Sequence, residues 1–160
     1  MHIKSSYDAF VAGLKVLVVD DEPQTVKIAE AMLQALGVAK VLTANTAAEA
    51  VTRLQNDPRT IDCVLSDVHM PGGSGLQLLR AVRLGQVRGI RPDFCVILMS
   101  QSTDADTVRT AAQLDVNGYI LKPLSRSALE VAMWKGRRKA FAVDFARYSA
   151  LGPSAVMMPA

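Results

Sequence analysis

Apolar residues recur along this chain in two alternating rhythms. Short runs rich in β-branched residues, at positions 16–19, 41–44, 63–66, 96–99 and 119–121, are separated by longer segments whose apolar positions return every three or four residues. Runs that are apolar at successive positions suit strands buried on both faces, and the helical segments between them supply the crossovers that parallel strands require. The pattern predicts an α/β domain, a five-stranded parallel sheet with helices on both faces.

The helices can be placed by their caps. Pro23 suits a first turn, Val26, Ala29, Leu33 and Leu36 form one face, and Gly37 supplies a stop, so the first helix should span Pro23–Leu36. Thr46 caps a second helix that turns Ala50, Val51 and Leu54 inward. A third follows Gly75 with Leu76, Leu79 and Val82 on its apolar face, then breaks into a polar stretch over 85–92 that reads as a long surface loop. A fourth covers about 104–114, with Asn117 and Gly118 as its terminator. Ser125 caps a fifth, carrying Leu129, Ala132 and Met133, whose pattern fades at the basic run 135–139. Residues 1–13 read as a short arm, with Tyr7, Phe10, Val11 and Leu14 at helical spacing. Residues 14–136 form the main domain, and 137–160 form a partly helical extension.

Composition narrows the class. The chain has 160 residues, half of them apolar, which is enough for one core and too few for a second full domain. A net charge of +3 gives no reason to expect a dedicated nucleic-acid binder. No apolar run approaches the roughly 20 residues of a membrane helix, and no leader pattern opens the chain, so the expectation is a cytoplasmic protein without a membrane partner. Cys63 and Cys95 sit inside apolar runs without the spacing of a zinc site, and read as buried, reduced thiols.

The chemistry gathers at strand ends. Asp20 and Asp21 follow the first run, Asp67 the third, Ser100 closes the fourth, and Lys122 with Pro123 follows the fifth. Right-handed crossovers put all those ends on one rim, where open α/β sheets bind ligands. If the strand order is 2-1-3-4-5, a common one for doubly wound sheets, the first and third strands are neighbours and the three carboxylates converge beside a lysine and a hydroxyl. Three carboxylates in one pocket repel unless a cation joins them, and an oxygen-only donor set favours Mg²⁺ or Mn²⁺ over zinc. A carboxylate so placed can act as a phosphoryl acceptor, and Asp67, the central one, is the candidate.

The segments VLVVDDE, VLSDVHMPGGSG, VILMS and GYILKPL, in this order, resemble the four signature segments of two-component response-regulator receiver domains, over roughly residues 14–135. The resemblance implies the flavodoxin-like form of the order 2-1-3-4-5. It implies that Asp67 accepts a phosphoryl group from a histidine kinase or a histidine phosphotransfer protein. Asp21, Asp67 and the backbone carbonyl of His69 would bind Mg²⁺, with Asp20 assisting through water, and Lys122 would pair with phosphoryl oxygens. Ser100 and Tyr119 would act as the switch pair, remodelling a face that a downstream protein reads.

The sequence also departs from that pattern. Gln101 stands where relatives usually carry a small residue, while His69 and Ser102 occupy positions that tune phosphate loss. A rival reading, a phosphatase of the haloacid-dehalogenase type, would want an acidic residue where His69 stands. A third reading is a receiver-like interaction module that does not use phosphate. Beyond the basic run, Phe141, Phe145 and Tyr148 lie at helical spacing, and the expectation is an extended last helix or an extra one packing that stripe on its own domain or on a second copy in a homodimer, the alternative being a tail that docks on a partner when Asp67 is phosphorylated. The extension is too short for a helix-turn-helix, so no sequence-specific DNA binding is expected.

Overall fold

The computed structural model describes residues 11–101 and 104–156. The strands are β1 Lys15–Val19, β2 Lys40–Ala44, β3 Cys63–Asp67, β4 Cys95–Ser100 and β5 Gly118–Leu121. The helices are α1 Pro23–Leu36, α2 Ala47–Asn56, α3 Gly75–Arg83, α4 Ala105–Gln113 and α5 Arg126–Arg138, followed by two short ones, α6 Phe145–Ala150 and α7 Pro153–Val156. All strand pairs are parallel, in the order β2-β1-β3-β4-β5, the flavodoxin-like arrangement expected from the resemblance.

Alternation of side chains splits the core in two. Val16, Val18, Cys63, Leu65, Ile97 and Met99 face Ala29, Leu33 and Leu36 of α1 and Leu129 and Met133 of α5. Leu17, Val19, Val64, Val96 and Leu98 face Leu54 of α2, Leu76, Leu79 and Val82 of α3, and Ala111 of α4. Cys63 and Cys95 are opposite one another in the register of β3 and β4, with sulfurs 3.2 Å apart. The hydrogen bond to Cys95 and burial hold the Cys63 thiol well above its ordinary pKa, which keeps it protonated and unreactive.

The caps of α2 and α5 are those the sequence implies. The Thr46 hydroxyl accepts from the Glu49 N–H at 3.0 Å and the Ser125 hydroxyl from the Ala128 N–H at 3.2 Å. At α3, Ser74 and Gln77 form a reciprocal capping box, with the side chain of each accepting the other's backbone N–H, at 3.0 and 2.7 Å.

Two expectations need correction. Asn117 does not end α4. Leu114 is the C-cap, and Asp115, at φ 51°, makes the left-handed turn. Asn117 is instead a buried connector: its Oδ1 accepts from the Val96 N–H at 2.9 Å and from Arg83 at 2.6 Å, and its Nδ2 donates to the Gly136 carbonyl at 3.0 Å. The stretch 85–92 is also not purely a surface loop, since Val87 and Ile90 are buried in the core beside α3. Val87 and Ile90 do stand three residues apart, but Gly85, Gly89 and Pro92 break the stretch into turns and make it read as a surface loop. Tyr7, Phe10 and Ser102 lie outside the described residues; Val11 and Leu14 are buried beside β1.

Arg83 is fully buried and serves as the fastener of this half of the molecule. Its guanidinium donates to the carbonyls of Leu114, Pro92, Phe94 and Asp115 at 2.8–2.9 Å and to Asn117, joining α3, the approach to β4 and the end of α4. Burial pulls its pKa down to about 10, which still leaves it charged at neutral pH. Arg83→Ala should lower the unfolding free energy by about 3 kcal/mol or more, because several carbonyls lose a charged donor at once. Arg83→Lys should recover less than half of that, since an ammonium cannot span the fork. Denaturant midpoints measure both, and wild-type stability in the alanine variant would contradict this role.

Candidate functional site

Backbone pairing continues one residue beyond three of the strands and fixes the rim. The Asp20 N–H donates to the Ala44 carbonyl at 3.1 Å, Val68 to Met99 at 3.0 Å, and Lys122 to Ser100 at 2.8 Å. The side chains of Asp20, Asp67 and Lys122 are therefore set by the sheet itself rather than by loops.

The structure brings Asp20, Asp21, Asp67 and Lys122 together. One carboxylate oxygen from each aspartate lies within 4.8 Å of the other two. Lys122 Nζ stands 3.0 Å from Asp20 Oδ2 and 3.2 Å from Asp67 Oδ1. Asp20 is fully buried, Asp67 and the Lys122 side chain are nearly so, and Asp21 is exposed. Asp20 Oδ1 also accepts the Glu22 N–H at 2.9 Å, a local turn bond that leads into α1, whose N-cap is Glu22 without a side-chain cap bond.

One ammonium cannot neutralise this cluster. Burial, and then the charge of Asp20, push the Asp67 carboxyl up to about 6 despite Lys122 beside it. Burial alone would lower the Lys122 ammonium, but its hydrogen bond to Asp20 and the charge of Asp67 prevail and raise it. The rim thus holds a firmly charged lysine and an excess of negative charge, with hard oxygen donors only. That donor set fits a small divalent cation of the magnesium class, and the raised Asp67 carboxyl marks where such a charge is wanted.

Ser100 closes β4, fully buried, next to the residue that carries Lys122. His69 and Gln101 are exposed at the rim. Tyr119 pairs in register with Leu98 and packs, half-buried, against the core of the α2, α3 and α4 face.

Gly75 was legible only as a helix start, but it is part of the site's construction. A methyl group there would collide with the backbone carbonyl of Asp67 and touch Leu98 at 3.0 Å, and the Gly75 N–H donates to the Val68 carbonyl at 2.9 Å. Ser74 before it and Gln77 after it are the capping-box signature that could have flagged this junction.

Comparison with known proteins agrees with this geometry. A family model described as the response regulator receiver domain matches residues 16–133. The two-component response regulator ARR2 of Arabidopsis thaliana is 36% identical over 126 residues, which cover 79% of this chain. The chain spans only 18% of that relative's length. Among solved structures, a response regulator receiver domain protein from Clostridium thermocellum superposes with a TM-score of 0.69 at 28% identity, covering 78% of this chain and 94% of the other. The receiver domain of the sensor histidine kinase PA1611 from Pseudomonas aeruginosa carries a magnesium ion in its active-site cleft. It superposes with a TM-score of 0.67 at 24% identity, covering 80% of this chain and all of that one, a likeness of fold. With its strand order, its rim of aspartates and this match, the chain belongs to the response regulator receiver family.

Proposed function

We propose that this chain is a phosphorylation-controlled switch whose phosphoacceptor is Asp67, charged by a histidine kinase or a histidine phosphotransfer protein. The observation that carries the reading is the convergence of three carboxylate oxygens within 4.8 Å beside Lys122. Asp20, Asp21, Asp67 and the backbone carbonyl of His69 would hold Mg²⁺, or Mn²⁺ in its place. A bound divalent ion would supply charge neutralisation for the incoming phosphoryl oxygens.

The chain's own groups divide the remaining work. An Asp67 oxygen attacks the phosphorus, forming the acyl phosphate as the donor's nitrogen–phosphorus bond breaks. Lys122, held by Asp20, is already at hydrogen-bond distance from Asp67 and pairs with the phosphoryl oxygens. The Ser100 hydroxyl turns to the new group, and Tyr119 follows it inward, changing the face around β5 that a downstream protein reads. Hydrolysis at the same site ends the signal.

In this reading residues 14–136 are the receiver and 137–160 are an extension of it. The protein works in the cytoplasm, through protein contacts, with a homodimer as one form and without sequence-specific DNA binding. Among the described residues no helix is long and apolar enough to cross a membrane. The exposed His69, where a dehalogenase-type phosphatase would place its general acid, favours the switch over that enzyme.

Acetyl phosphate with Mg²⁺ should add one phosphate to the wild-type chain and none to Asp67→Asn, as read by intact mass. Labelling of the variant, or steady turnover of small phosphomonoesters without labelling, would refute the assignment.

Charge crowding gives a second expectation. Because the Asp67 carboxyl is raised from 3.8 to about 6 in the fold, its contribution to stability is complete below pH 3.8 and is lost as pH rises through about 6. Asp67→Asn should therefore be more stable than wild type at pH 8 without divalent ions, by on the order of 1 kcal/mol after solvent screening at the rim. That difference should vanish near pH 4. Millimolar Mg²⁺ should raise the melting temperature of wild type at pH 8 and barely move that of the variant. Thermal melts across pH test this, and a wild type more stable than the variant at pH 8 without ions would contradict it.

A further inference from the structure

The segment after α5 does not trail into solvent. It crosses to the opposite face of the sheet and lies as a strap along α3 and α4, held at successive points. Lys139 donates to the Val116 carbonyl at 2.7 Å, and the Phe141 ring lies 4.8 Å from the buried Arg83 guanidinium. Arg147 donates to the Gln113 carbonyl at 3.0 Å and forms an ion pair with Asp115, whose carboxylate also accepts the Tyr148 hydroxyl at 2.6 Å. Arg80 of α3 donates to the Leu151 carbonyl at 2.9 Å, and the Ser74 hydroxyl donates to the Val156 carbonyl at 2.5 Å. Tyr148 and Val156 are buried in the core of that face.

The strap grips the far end of the helix that follows Ser100 and, at its other end, a residue beside the packing of Asp67. Its first half fastens to the carboxyl end of α4, the helix that follows Ser100. Its second half ends on Ser74, whose neighbour Gly75 has no room for a methyl group against the backbone carbonyl of Asp67. One serine hydroxyl therefore serves both the start of α3 and the strap. A shift in the loop between Asp67 and Ser74, or in the spacing of α3 and α4, must lengthen some of these bonds, because they are already satisfied around an unmodified Asp67.

We infer that the groove between α3 and α4 is an intramolecular docking surface for residues 139–156, and that phosphorylation of Asp67 loosens the strap. The inference rests on the switch reading above. Binding linkage then requires the reverse effect in equal measure: the docked strap opposes the phosphorylated arrangement, and weakening the strap favours it. Arg147 and Tyr148 hold the strap without touching the carboxylate rim, so they can be altered without disturbing the phosphoacceptor's own ligands.

Hydrogen exchange read by mass spectrometry tests both directions, using beryllofluoride with Mg²⁺ as a stable phosphoryl mimic. In wild type, amides of 145–150 should exchange about fivefold faster or more with beryllofluoride than with Mg²⁺ alone, while those of the β-sheet stay protected. In Asp67→Asn the difference should disappear. Arg147→Ala and the more conservative Tyr148→Phe should bind beryllofluoride more tightly than wild type by a similar factor, and protected sheet amides in the same data report that they are folded. Unchanged exchange in the strap of a wild type that does accept phosphate at Asp67 would overturn the coupling and leave the switch standing. Strap variants with wild-type beryllofluoride affinity would overturn it as well. A wild type that accepts no phosphate at Asp67 would overturn both.

Discussion

Electrostatic crowding at the carboxyl edge of the sheet is the constraint around which this protein is arranged. Three aspartates converge on a rim where, among the described residues, Lys122 supplies the ammonium that pairs with them. Left to themselves such groups would separate, since like charges a few ångströms apart in a partly buried site repel by more than one lysine repays. They stay because their main chain is committed elsewhere: Asp20, Asp67 and Lys122 are all held by ladder hydrogen bonds at or just past the ends of buried strands. The hydrophobic burial of both sheet faces supplies the stability against which this strain is maintained. A site so built has an affinity for positive charge, and for chemistry that moves charge, before any ligand arrives.

Much of this was legible from the order of residues alone because it is governed by local rules. The span of α1 follows from a proline that suits a first turn and a glycine that, at φ 91°, ends the helix. The rim follows because strand ends in a parallel sheet share an edge, whatever the side chains are. Asp20 serves both the turn before α1 and the rim because a carboxylate has two oxygens: one accepts the Glu22 N–H and the other accepts from Lys122.

The illegible features share a physical cause. Asn117 was read as a helix terminator because Asn before Gly is a frequent stop, yet it carries the bonds that join β4, α5 and Arg83. Arg83 sits in the last turn of a helix, where a basic residue ordinarily faces water and interacts with the dipole. Its burial depends on carbonyls from segments up to 32 residues away being turned toward it, and no window of sequence contains that information. The aromatic trio of the extension failed as a single stripe for the same reason. Tyr148 is buried because Asp115, 33 residues earlier, presents a carboxylate to its hydroxyl, whereas Phe145 has no such partner and remains half exposed.

Asp115 shows how the two halves of the molecule became interdependent. It takes the left-handed conformation that closes α4, a conformation that favours short polar residues over bulky ones. That turn aims its backbone carbonyl at Arg83 and its carboxylate at Arg147 and Tyr148. A single residue therefore terminates a helix, satisfies a buried cation and anchors the strap. At the other end Ser74 joins the capping of α3 to the strap in the same way. With polar groups shared at both anchors, the strap cannot leave α3 and α4 unaltered when it moves, and those helices cannot move without being felt by it.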